Sequence, residues 1–96
     1  MIEVKIADPI VVVPKFITLL ALNLRMTAEE RTSVRSSADP EVQDLVYLLQ
    51  VSRYIDLDHP VTRAGIRMLE TKGLLAEGRA LQILDAPIQD VERSPA

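Results

Sequence analysis

The dipeptide Asp39-Pro40 constrains this chain more than any other feature of its sequence. Proline holds φ near the helical value and has no N–H to donate, so it breaks a helix interior but costs nothing at the first helical position. An aspartate just before it can accept a backbone N–H of the first turn, and Glu41 sits well near the positive end of a helix. A central helix is therefore predicted over residues 40–54. Its apolar face holds Val42, Leu45, Val46, Leu48 and Leu49, with Glu41, Gln43, Asp44, Gln50 and Arg53 on the other side.

Other boundaries follow by the same reasoning. Asp58-His59-Pro60 repeats the arrangement, with Asp58 as the expected cap. Val61, Ala64, Gly65, Met68 and Leu69 then recur at spacings of three and four, predicting a helix over residues 60–72. Lys72-Gly73-Leu74 supplies a basic last turn, a glycine able to take the left-handed conformation and a following apolar residue, which together stop that helix. Thr27-Ala28-Glu29-Glu30 reads as a capping box: the Thr27 hydroxyl accepts from the Glu30 N–H while the Glu30 carboxylate reaches back to the Thr27 N–H. The helix that starts there runs to about Ser37 and has few apolar residues, Ala28, Val34 and Ala38, so weak attachment to the core is expected. A fourth helix over residues 76–84 turns Ala80, Leu81, Ile83 and Leu84 inward and ends at Asp85-Ala86-Pro87, although Gly78 disfavours it.

Residues 15–26 match a helix stripe and a strand alternation about equally, and sequence does not decide between them. Before them, Ile2, Val4 and Ile6 alternate with polar residues as in an extended strand, Asp8-Pro9 interrupts, and a β-branched run from Ile10 to Val13 ends at Pro14. The prolines confine these pieces to a sheet edge or an extended arm. Residues 1–14 are thus an N-terminal arm, either a strand of the protein's own sheet or a partner-binding segment, with Ile2, Val4, Ile6, Ile10, Val12 and Phe16 as the candidate contacts. Residues 88–96 are polar, contain one proline, and are expected to form a loose tail. The expected fold is mainly α (α+β): one domain over residues 15–87, a small bundle of about four short helices, carrying an extended or β-strand arm.

The chain has 96 residues, which leaves room for a single core. Only Phe16, Tyr47 and Tyr54 are aromatic, so that core must be aliphatic. A net charge of −3 gives no general attraction to phosphate backbones, and nucleic acid is not an expected partner. The chain has no cysteine, hence no disulfide, thiolate metal site or thiol nucleophile. Ile10–Leu24, the most apolar stretch, is broken by Pro14, Lys15 and Asn23 and is shorter than the roughly 20 residues of a spanning helix, so no membrane association and no export signal are expected.

Reactive groupings are equally sparse. His59 is the only histidine; with Asp56 and Asp58 it could touch a divalent ion, but the spacing matches no loop with the oxygen count that calcium needs, and a turn with a helix cap explains the residues. Asp44 and Asp85 read as helix-face or cap residues. Gly65, Gly73 and Gly78 are isolated and form no phosphate loop. No catalytic residue, metal site or cofactor is expected, and the protein is not expected to be an enzyme. Arg25, Arg31 and Arg35 interleave with Glu29 and Glu30, as on a solvated helix face. The alternative reading is a small DNA-binding regulator in which residues 60–84 form a helix-turn-helix-like pair. The would-be reading helix carries Glu77, Arg79, Gln82 and Asp85, so its charges roughly cancel, and helix-on-helix packing is the simpler account.

The segments Met26-Thr27-Ala28-Glu29-Glu30, Tyr54-Ile55-Asp56-Leu57-Asp58, Thr62-Arg63-Ala64-Gly65-Ile66, Leu74-Leu75-Ala76-Glu77-Gly78-Arg79-Ala80 and Ile83-Leu84-Asp85-Ala86-Pro87 together resemble a family of small proteins of tailed bacteriophages and prophages, found among tail and tail-fibre genes. The resemblance covers residues 15–90. It implies a virion structural or assembly protein made in the bacterial host cytoplasm and placed in the tail, at the baseplate, tail tip or fibre. Other phage tail proteins, or further copies of the chain, would be its partners. It carries over no functional residue.

Overall fold

The computed structural model describes residues 15–93. In chain order the elements are β1 (Phe16–Ile17), α1 (Leu19–Leu24), α2 (Ala28–Ser36), α3 (Pro40–Val51), β2 (Ile55–Asp56), α4 (Pro60–Thr71), α5 (Arg79–Asp85) and a closing 3₁₀ turn, Asp90–Arg93. The protein is a mainly helical globule with one small antiparallel sheet, in which Phe16 pairs with Asp56 and Ile17 with Ile55. The ambiguous stretch 15–26 is thus both a strand and a helix. Thr18 divides the two, its hydroxyl accepting the Ala21 N–H at 3.1 Å to start α1.

The helix starts are held by local hydrogen bonds. Thr27 and Glu30 form both halves of a capping box, at 3.1 and 2.8 Å. The Asp39 carboxylate accepts the Glu41 N–H at 2.8 Å, with Pro40 in the first turn. At α4 the cap is His59 rather than Asp58: Nδ1 of His59 accepts the Val61 N–H at 3.1 Å. Asp58 is drawn instead towards Lys15 and Arg63, at 3.8 and 4.0 Å, while Asp56 accepts the Asp58 N–H. The α4 stop is complete. Gly73 has φ +81°, Leu74 donates to the Leu69 carbonyl at 2.9 Å and Gly73 to that of Glu70 at 3.0 Å. α5 begins three residues later than its apolar pattern suggests, because Gly78, at φ +87°, is its N-cap and has no side chain to offer. Glu70 of α4 substitutes by accepting the Ala80 N–H at 2.9 Å.

The core is aliphatic. Ile17, Leu22, Val42, Ile55, Leu57, Ile66, Leu69, Ile83 and Leu84 are essentially solvent-free and come from both strands and from α1, α3, α4 and α5. On α4 the buried positions are Thr62, Ile66 and Leu69, so the inward face is turned relative to the expected Val61–Ala64–Met68 stripe. Leu81 and Leu48, both expected inward, are exposed.

Charged side chains hold more of this fold than the local composition suggests. Arg25 lies on no solvated face: its side chain is 7% exposed and its guanidinium donates to both Glu92 carboxylate oxygens, at 2.7 and 2.9 Å, and to the Ile83 carbonyl at 2.6 Å. Glu92 belongs to the segment expected to be loose. Up to Arg93 that segment is packed down, with Ile88 against the core and the Glu92 carbonyl accepting the Thr18 N–H at 2.8 Å. α2 is also held more firmly than its composition implies, since Glu30 accepts from Arg79 of α5 at 2.7 and 2.8 Å and Arg31 donates to the Asn23 and Met26 carbonyls.

Candidate functional site

α3 and α4 cross closely because Gly65 presents no side chain where Leu45 packs. A Cβ at Gly65 would drive into the Leu45 side chain. Beside this crossing the two helices line an open groove of about 590 Å³. Leu45 and Gly65 line its floor, Leu48, Val61, Ala64 and Met68 its walls, and Pro40, Glu41 and Asp44 its lip. A second depression shares Leu48 and Val61 and extends the apolar surface to Val51 and Tyr54. Leu48, Val51, Tyr54 and Val61 are 41–61% exposed, and Tyr47 on α3 is exposed as well. Together these residues form the largest run of exposed apolar side chains on α3 and the start of α4.

The lip is electrostatically organised. Lys72, at the end of α4, donates to Asp39 at 2.7 Å and Glu41 at 2.8 Å, tying the end of one helix to the start of the other. These hydrogen bonds raise the Lys72 pKa above its ordinary value. The Lys72 ammonium, with the Glu41 backbone N–H, lowers that of Asp39. Asp44 has no ion-pair partner among the described residues.

Of the candidate partner-binding residues, Phe16 is half-exposed on β1, and Ile2, Val4, Ile6, Ile10 and Val12 lie outside the described residues. The carboxylates and imidazole before α4 are occupied in turn and cap bonds, and no group of three or more His, Cys, Asp or Glu side chains converges among the described residues. α4 and α5 do pack as a pair across Lys72–Gly78. Arg79, however, spends its guanidinium on Glu30 and the Arg25 carbonyl, and Asp85 pairs with Arg63 at 3.1 Å.

The groove is not legible in periodicity, which places Leu48 and Val61 on apolar helix faces without saying what covers them. A signal was present. From Val61 to Leu69 α4 carries more apolar positions than one buried stripe needs, and the surplus, Val61, Ala64 and Met68, is the stripe that faces the groove. No family model, curated protein or solved structure compared with this chain matches it.

Proposed function

We propose that this chain is a structural or assembly protein of a phage tail, associated with the baseplate, tail tip or fibre, and that it acts through protein–protein contacts at the α3–α4 groove. The observation that carries the contact role is the exposed apolar surface formed by Leu48, Val51, Tyr54 and Val61. Burying it against a partner removes apolar area from water without breaking a single ion pair of the fold. The tail as the setting rests on the resemblance of residues 15–90 to the phage family. The DNA-binding alternative has less support, since the arginine its reading helix would need is held by Glu30.

Mass spectrometry of purified virions, with and without the variant Leu48→Asp/Val61→Asp, tests the proposal. The native chain should be found in tails and the variant, folded but unable to dock, should be lost from them. Virions lacking the native chain, together with no crosslink from it to any tail protein during assembly, would refute the tail role.

A further inference from the structure

Among the described residues, two of the exposed apolar features are opposite in shape and in the charge beside them. One is the α3–α4 groove, a concave site whose lip is acidic: Asp39 and Glu41 share the single cation Lys72, and Asp44 has no ion-pair partner among the described residues. The other is a ridge on α1, where Leu20 and Leu24 are 63% and 67% exposed. Standing one helical turn apart, these leucines lie on one face. The surface beside Leu20 is lined by Arg31 and Arg35. Arg31 is committed to two backbone carbonyls, whereas Arg35 is exposed and has no ion-pair partner among the described residues.

Ridge and groove also lie on different sides of α3. The α1 residues Leu19 and Leu22 meet α3 at Leu45, Val46 and Leu49, whereas the groove opens on the side of Glu41, Asp44 and Leu48. One molecule cannot seat its own ridge in its own groove.

We infer that the groove receives a second copy of this chain: the Leu20–Leu24 ridge of one molecule packs against Leu48, Val61 and Met68 of the next, and Arg35 meets Asp44. The inference rests on the reading of the groove as a docking face and names its occupant. Because the two surfaces differ, the contact is head-to-tail and propagates into a ring or a filament instead of stopping at a pair. Opposite charge at the rim fixes the direction of entry, and the apolar contact supplies the attraction.

Sedimentation of the full chain tests this. The wild type should self-associate weakly, at roughly 100 µM, below the micromolar affinity at which standard-size interfaces begin. A ridge variant, Leu20→Asp/Leu24→Asp, and a groove variant, Leu48→Asp/Val61→Asp, should each weaken association by about tenfold or more. Mixed one to one they should form a heterodimer that grows no further, since one supplies the only intact groove and the other the only intact ridge. Asp44→Arg and Arg35→Asp should each weaken association by about two- to fivefold, and should restore it when combined in one chain. Unchanged thermal melts confirm that the variants fold. A wild type that remains monomeric at roughly ten times that concentration, or two variants that ignore each other when mixed, overturns the second copy as occupant and leaves the groove to another tail protein or to residues 1–14. A groove variant that still enters tails normally overturns the docking face itself.

Discussion

Two regions that share one aliphatic core are tied together by different means. Around α1, α2, α5 and the closing 3₁₀ turn, long-range order comes from directional bonds: Arg25 clasps Glu92, Arg79 clasps Glu30, and both guanidinium groups also reach backbone carbonyls. Around the outer face of α3 and α4 the side chains are apolar and exposed, and the crossing rests on Gly65 against Leu45 and on the Lys72 link. The first region resists change because each bond needs its partner at a fixed distance and angle. The second tolerates it because apolar contact has no direction. The contrast concerns what ties the elements together, since exposed apolar side chains occur in both regions, Leu20 and Leu24 on α1 among them.

Substitution at the clasp should break this contrast most visibly. Arg25→Ala strands the Glu92 carboxylate, only 14% exposed, and frees the Ile83 carbonyl. The urea-unfolding free energy should fall by about 2–3 kcal/mol, near the lower end for a buried pair because some solvent still reaches it. Acid should act next, and on the same region. Hydrogen bonds from Arg79 and Arg25 hold the Glu30 and Glu92 carboxyls below their ordinary value of 4.5. Their contribution is therefore complete above pH 4.5 and is lost as pH falls through the lower folded-state values. The urea midpoint should decline below that pH in the native chain, and the decline should be shallower in Glu92→Gln.

Thr27→Ala, which removes one half of the capping box, should cost about 1 kcal/mol. The smallest effect belongs to the other region. Leu48→Gln should change stability by less than about 0.5 kcal/mol, because glutamine nearly matches leucine in helix propensity and the side chain is already substantially exposed. A large loss in that variant would mean that Leu48 is a core residue and that the division between the two regions is false.

The division also explains what could be read from sequence. Features written within four residues were legible: the Thr27–Glu30 box, the Asp39-Pro40 start and the stop at Gly73. Aspartate is the stronger capping type, which points to Asp58, but with Pro60 at the first helical position the cap is the residue just before it, His59. The order of residues 88–93 was invisible because its cause, Arg25, lies 67 positions from Glu92, and local composition there is simply polar. The groove was hidden for a related reason. Periodicity identifies an apolar face but not which neighbour covers it, so Leu48 and Val61 looked like core until α1 and α5 were seen to cover other faces.

The hydrogen bond from Thr18 to Glu92 brings the entrance and the exit of the folded body together. Tension transmitted along the polypeptide from residue 15 to residue 93 would cross from one to the other over that short strap and the guanidinium clasp beside it. The helices between residues 18 and 92 would then be bypassed by much of the pull.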